Sequence, residues 1–248
     1  MSKLLMNTMS WSEFHSKKDN VLILPIGSTE QHGPHLPLSV DSVIAEKLAL
    51  ALAEKINGIV APTLAYGYKS KPLSGGGPLF PGTIDLSGHT LMALVNDLLE
   101  EFIADGLKKI FILSAHFENE AFIIESVDIV SRKYPDVHIV VANWWDVLST
   151  DVIDAVFNEV PFPGWAFEHA AVTETSLMMY LAPQLVQEDR MSLEMGAEPV
   201  PYFTYPIVKG MVPESGVLAS AKSSSPQKGK LIADAAVSAF IKIVKKEF

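Results

Sequence analysis

The sequence has no cysteine, which excludes disulfides and thiolate metal sites together. Any metal must therefore be held by histidine, aspartate or glutamate. Positive charge is also scarce: 19 Lys and Arg stand against 29 Asp and Glu, and the net charge of −10 argues against nucleic acid as a partner. No apolar run approaches the roughly 18 residues that a membrane-spanning helix needs. The opening "MSKLLMNTMSWSEFHSKKDN" lacks the unbroken apolar core of a signal peptide, so a soluble, cytoplasmic chain with no membrane contact is expected. No Gly-, Ser- or Pro-rich linker separates self-sufficient halves, and one domain over residues 1–248 is expected.

What is present is globular, at 48% hydrophobic and 19% charged. Short apolar, β-branched runs alternate with helical patterns. "VLILPI" (21–26) reads as a first strand, and "DSVIAEKLALALAEKIN" as a helix with Asp41 at its N-cap. "GIVAPTL" (58–64), "KIFILSA" (109–115) and "VHIVVANWW" (137–145) read as further strands. "GHTLMALVNDLLEEFIADG", "ENEAFIIESVDIVSRKY", "EHAAVTETSLMMYL" and the C-terminal "KGKLIADAAVSAFIKIVKKEF" read as helices. Residues 186–226 are irregular and proline-rich, a long surface excursion. This order implies βαβ units: an α/β fold, three-layer α/β/α, with a mainly parallel central sheet. In such sheets ligands bind beyond the carboxyl ends of the strands.

That edge carries an unusual concentration of ligand chemistry. Just after the first strand, "GSTEQHGPHLPLSVD" supplies Glu30, His32, His35 and Asp41. Glu30 and His32 sit at i and i+2, which point to one side in extended chain. After the third strand "SAHFENE" repeats the pair in reverse order as His116 and Glu118. One E-x-H step is a weak signal; two, each closing an apolar strand, are much stronger. Asp41 can serve as a helix cap and also reach the same space, and Glu118 can also act as a favourable charge at a helix N-terminus. Two imidazoles and three carboxylates without thiolates suit borderline to hard divalent ions such as zinc or manganese. Three carboxylates would repel one another around a single cation. Two ions sharing Asp41 resolve this and make a shared hydroxide available at neutral pH.

The remaining candidates are weaker. His138, inside "VHIVV", reads as a satisfied strand histidine, and His15 and His89 as surface or cap residues. His35 reads as a partner of the ligands. "SGGGP" (74–78) lacks the lysine and spacing of a phosphate-binding loop and reads as backbone that approaches a ligand closely. In "PGWAFEHAAVTETS" (163–176), Trp165, Glu168 and His169 stand where a turn enters a helix. Trp144 and Trp145 end the fourth strand at the same edge.

At these residues the sequence resembles the creatininase (creatinine amidohydrolase) family over nearly its whole length. The resemblance is carried by "LPIGSTEQHGPHLPLSVD", "YGYKSKPLSGGGPLFPGT", "SAHFENEAFIIE", "WWD", "GWAFEHAAVTETSLM" and "LASAKSSSPQKGKLI". It implies a homohexamer and two divalent metal ions, zinc and/or manganese. Glu30, Asp41 and His116 would hold one ion, and His32, Asp41 and Glu118 the other. It further implies a small-molecule amide substrate, creatinine or creatine, met by Ser74, Phe117, Trp145, Trp165, Glu168 and His169. In that scheme Glu118 relays the nucleophile's proton, and His169 protonates the leaving nitrogen, oriented by Glu168 or a neighbouring group. Phe117 stands where the creatinine-hydrolysing branch has tyrosine, and Ala166 where it has aspartate. Each removes a polar group beside the substrate. Two alternatives remain open: hydrolysis of a different amide (a formamidopyrimidine or a peptide-like substrate), and a catalytically silent small-ligand-binding oligomer.

Overall fold

The computed structural model describes residues 3–71, 77–191, 202–207 and 210–248. Four parallel strands form its sheet, in the order β2-β1-β3-β4: β1 (Leu22–Ile26), β2 (Ile59–Val60), β3 (Lys109–Ser114) and β4 (His138–Asn143). Among the described residues seven α-helices accompany it: α1 (Trp11–His15), α2 (Val40–Ile56), α3 (Gly88–Ala104), α4 (Glu120–Lys133), α5 (Thr150–Val156), α6 (Val172–Leu181) and α7 (Pro226–Glu247). The sheet is thus wholly parallel, and helices cover both of its faces.

The period-2 alternation of the strands builds two cores at once. Leu22, Leu24 and Ile26 of β1, with Ile110 and Ile112 of β3, pack against Leu91, Val95 and Leu99 of α3 and Ile123 and Val130 of α4. On the other face Ile23, Phe111 and Leu113 meet Ile44, Leu48 and Leu52 of α2, Leu177 of α6 and Phe240 of α7. Each such aliphatic side chain contributes about 1.5–3 kcal/mol on burial. β1 is buried along its whole length, as a central parallel strand should be. α6 and α7 pack so closely that a Cβ at Gly229 would stand 1.9 Å from the Ser176 carbonyl oxygen. Among the described residues no helix is long and apolar enough to cross a membrane.

Several boundaries differ from expectation. The second strand shrinks from 58–64 to Ile59–Val60. Ala61 N–H donates to the Ile23 carbonyl, but the next bond to β1 runs from Leu64 N–H, not Thr63, to the Pro25 carbonyl, so an extra residue interrupts the ladder before the isolated Ile26–Leu64 bridge. Asp41 is not an N-cap. Ser39 holds that position, and Asp41 lies in the first turn of α2 with its side chain buried. α4 starts at Glu120, after a 3₁₀ turn over Phe117–Asn119. α6 starts at Val172, which leaves Glu168 and His169 in the preceding loop. His138 is exposed at the start of edge strand β4, not enclosed in the sheet. α5 is too short for periodicity to reveal.

Candidate metal centre

The carboxyl ends of β1 and β3 open side by side, and the chain beyond them is drawn together by its smallest residue. A Cβ at Gly27 would come within 2.5 Å of the Ser42 backbone nitrogen, so only glycine lets the end of β1 abut the first turn of α2. That contact brings Asp41 beside Glu30 and His32. Asn119 ties the second half on: its side-chain amide donates to the Gly27 carbonyl at 3.0 Å, and its oxygen accepts from Tyr68 N–H at 2.8 Å.

The two imidazoles are oriented by main-chain carbonyls. His116 donates Nε2–H to Tyr68 O at 2.8 Å, which turns the lone pair of Nδ1 toward Glu30 Oε2 at 3.2 Å and Asp41 Oδ2 at 3.1 Å. His32 donates Nδ1–H to Glu30 O at 3.0 Å, leaving Nε2 facing Asp41 Oδ1 at 3.1 Å and Glu174 Oε2 at 3.6 Å. Both rings therefore aim lone pairs at carboxylate oxygens. Glu30 Oε2 and Asp41 Oδ2 are buried and accept no well-directed hydrogen bond. Facing lone pairs in a dry site repel unless a cation lies between them. The residues thus fit divalent metal, with Glu30–Asp41–His116 and His32–Asp41–Glu174 as two convergent donor sets that share Asp41. A third set, Glu30–His32–His169, overlaps both.

The electrostatics express the same demand for positive charge. Burial pushes the Glu30 carboxyl up to about 8, although His116 and His32 pull against it. Burial disfavours the His116 imidazolium, yet Glu30 and Asp41 outweigh that penalty and hold it at about 10. For His32 burial acts the same way, and Asp41 and Glu174 again prevail, raising it well above the ordinary imidazole value. Burial would raise Asp41, but the two imidazoles hold its carboxyl well below the usual range. Without a metal, protons must supply the charge that the carboxylates require.

Glu118 departs from expectation. It is buried and lines the cleft, but it joins none of the three convergent sets; Glu174 occupies the position expected of it beside His32 and Asp41. The i, i+2 rule presumes extended chain, and the 3₁₀ turn at Phe117–Asn119 turns Glu118 to the far side of His116, with Oε2 3.6 Å from Nε2. Glu174 had a legible signal. "VTETSLMM" is buried around its whole circumference, and a carboxylate in such a helix must be paired or ligating. Ser70, whose hydroxyl donates to Glu30 Oε1, had none.

Glu168 does not orient His169. Its Oε2 accepts from Thr173 N–H at 2.8 Å and Thr173 Oγ1–H at 2.6 Å, while Oε1 is buried without a partner. Burial raises this carboxyl to about 7. Gln31 holds His169 instead: Nε2–H of the ring donates to the Gln31 carbonyl at 2.7 Å. The ring stacks on His32 with centroids 4.4 Å apart, and burial, with His32 beside it, lowers its pKa well below the ordinary value. His169 is therefore neutral at pH 7, with Nδ1 left to accept a proton.

Opposite these groups stands an aromatic wall. Trp144 meets Trp145 and Trp165 edge-on at 5.6 and 5.9 Å, and Phe117 lies 5.8 Å from Trp145. Together with Ala166, Glu118, Glu168 and His169 they enclose a cleft of about 420 Å³ including its open mouth. Ser74 lies outside the described residues. The tryptophans thus line the same cleft as Asp41, His116 and Glu174.

Fold and site together define an enzyme of the α/β class with candidate metal-ligand sets at the carboxyl edge of a parallel sheet. The family model for creatininase, described as creatinine amidohydrolase, matches residues 7–244. The chain is 36% identical over 257 residues to the creatinine amidohydrolase of Pseudomonas putida, covering 100% of this chain and 99% of that protein. It is 30% identical over 195 residues to the mycofactocin precursor peptide peptidase of Mycolicibacterium smegmatis, covering 75% and 67%. Among solved structures, a Glu-to-Gln variant of creatininase complexed with creatine superposes with a TM-score of 0.95 at 37% identity, covering 98% of each chain. A Zn–Zn form gives 0.96 at 36% identity, covering 100% and 99%, and a manganese creatininase 0.95 at 37%, covering 99% of each. The chain belongs to the creatininase family. It is a hydrolase that acts on amide bonds.

Proposed function

We propose that this protein hydrolyses creatinine to creatine, reversibly, with two divalent ions, zinc and/or manganese, held by Glu30–Asp41–His116 and His32–Asp41–Glu174. The observation that carries the reading is the pair of imidazoles whose carbonyl-fixed lone pairs meet buried carboxylate oxygens. Similarity along the full length to a creatinine amidohydrolase, and to a creatininase that binds creatine, supports the substrate. When bound, the ions supply a Lewis acid for the ring carbonyl and lower the pKa of water.

The chain's own residues do the rest. Trp145 and Trp165 shelter the flat ring and exclude water, and Ser74 hydrogen-bonds it. Glu118 takes a proton from the attacking water, whose oxygen joins the carbonyl carbon. That proton passes from Glu118 to His169, neutral and held by Gln31, which delivers it to the ring nitrogen as the carbon–nitrogen bond breaks. Glu168, raised to about 7, presents its unpartnered Oε1 to the polar edge of the substrate. The family resemblance supports a cytoplasmic homohexamer of one-domain chains.

The test is an assay of the zinc- or manganese-loaded protein for creatinine–creatine interconversion in both directions, with metal counted per chain. Two ions and turnover both ways are expected. Two ions without creatinine turnover would favour a second reading, hydrolysis of a peptide-like amide. That reading draws on the peptidase relative and on the apolar Phe117 and Ala166 in the cleft. Absence of bound metal would end both.

A further inference from the structure

The two candidate ligand sets draw on distant parts of the chain. Glu30, His32 and Asp41 come from the β1–α2 connection, while Glu174 comes from the first turn of α6. Something must fix the distance between these two pieces, and His35 is placed to do so. It is fully buried, and its Nε2 lies 2.9 Å from Thr175 Oγ1. Thr175 is the residue next to Glu174, and its hydroxyl donates in turn to the Ala170 carbonyl at 3.3 Å. A hydroxyl has one proton to give, so the imidazole is the donor in the His35–Thr175 bond. His35 Nδ1 is then an unpartnered acceptor, which costs less than a buried unpartnered N–H.

Ala170 carries the linkage to the ligand. Its φ of +54° is rare for a residue with a side chain, and it persists only where the surroundings hold it. In that conformation its N–H donates to Glu174 Oε2 at 2.7 Å, the oxygen that faces His32. The Thr175 hydroxyl holds the other end of the same residue. A connected path therefore runs from His35 through Thr175 and Ala170 to the Glu174 carboxylate. The other end of the path is anchored too: the His35 carbonyl accepts from Gln187 N–H at 2.8 Å. The backbone of Gly33 leaves no room beside the ring, since a Cβ there would stand 3.3 Å from His35 Nδ1 and 2.5 Å from Val217 Cγ2.

We propose that His35 is a positioning residue: its bond to Thr175 latches α6 to the β1–α2 connection and so sets where Glu174 meets His32 and Asp41. This rests on the metal reading above. The latch belongs to the His32–Asp41–Glu174 set and not to Glu30–Asp41–His116, which Tyr68 and Asn119 support from elsewhere. Loss of the latch must therefore act on one ion selectively.

The experiment titrates Mn²⁺ into metal-stripped full-length protein by calorimetry, with the spin-coupled signal of the manganese pair followed by electron paramagnetic resonance. Wild type is expected to take two ions per chain. Thr175→Val, which keeps the volume and loses the hydroxyl, and His35→Ala should each weaken one event by about 10–100-fold, the scale for partners of metal ligands. The other event should change by no more than about threefold. Thr175→Ser and His35→Gln, each able to remake the bond, should recover most of the loss. On a Glu174→Gln background, Thr175→Val should add nothing. Two unchanged events in Thr175→Val overturn the latch, as does equal weakening of both, which marks a merely structural role. If His35→Ala fails to fold, Thr175→Val decides. Wild type that takes up no Mn²⁺ overturns the metal reading and this one with it; two ions in wild type and equal affinities in the variants overturn the latch alone.

Discussion

Two pairs of residues, Glu30/His32 and His116/Glu118, have the same spacing in the sequence and different fates in the structure. Glu30 and His32 follow β1 without helical structure, and both enter convergent donor sets. His116 does so too, but Glu118 sits in a 3₁₀ turn and is carried to the other side of the imidazole. Spacing names the residues available to a site; the backbone conformation between them decides which side chains meet. Glu174, from a helix far along the chain, stands where symmetry of the two pairs would have put Glu118.

The comparison breaks most visibly at the residue both sets share. Asp41→Asn should remove both ions and lower kcat/KM by about 10⁴-fold, the scale on which a unit of catalytic groups fails together. Metal content and turnover measured on one preparation check this; retention of both ions would show that Asp41 is not shared. Next come the two glutamates themselves. At saturating Zn²⁺, Glu118→Gln should lower kcat by about 10²–10⁴-fold, the range for a lost proton-transfer group. Glu174→Gln should instead weaken one metal-binding event, with activity recovering as Zn²⁺ is added. The reverse pattern would give Glu118 the ligand role and return the site to the symmetry of its sequence.

Glu168 sharpens the contrast between carboxylates that face a cation set and one that does not. Burial raises its folded-state carboxyl from 4.5 to about 7. Between those values the unfolded chain has lost the proton and the folded chain keeps it, so stability falls as pH rises across the window. The loss is roughly 3 kcal/mol once pH exceeds the folded value. Urea denaturation of metal-stripped protein at pH 5 and pH 8 measures it, and Glu168→Gln should flatten the difference. An unchanged slope would mean that Glu168 is ionised in the folded state. The smallest effect is expected at Phe117, between the paired His116 and Glu118. Phe117→Tyr returns a hydroxyl to the cleft and should raise kcat/KM for creatinine by up to about tenfold, one hydrogen bond's worth. A fall in creatinine turnover would favour the peptide-like substrate.

Much of this was legible in the sequence, for identifiable reasons. The apolar runs around Leu24 and Ile112 suit a parallel sheet, whose strands are buried on both faces, and the helical spacing of Leu91, Val95 and Leu99 assigns the layer that covers one of them. Glu30, His32, Asp41 and His116 were found because they cluster at strand ends. Glu174 carries only the weaker signal of an acid in the apolar helix "VTETSLMM", which says that it must be paired but not with what. Asp41 looked like a cap because the preceding Ser39 and the shift of two positions leave the pattern almost unchanged. The shortened β2 reflects an extra residue between Ala61 and Leu64 in the bonds to β1, which an apolar run does not reveal.

By itself the sequence determined the class of fold, the exclusion of thiolate chemistry and the strand ends at which ligands gather, because periodicity and composition act locally. Only the tertiary structure decided that Glu174 rather than Glu118 meets His32, that Gln31 rather than Glu168 holds His169, and that His35 reaches across to α6. Those choices turn on distances between segments more than a hundred residues apart (His35 and Thr175 are separated by 140), which close packing fixes and no local pattern records.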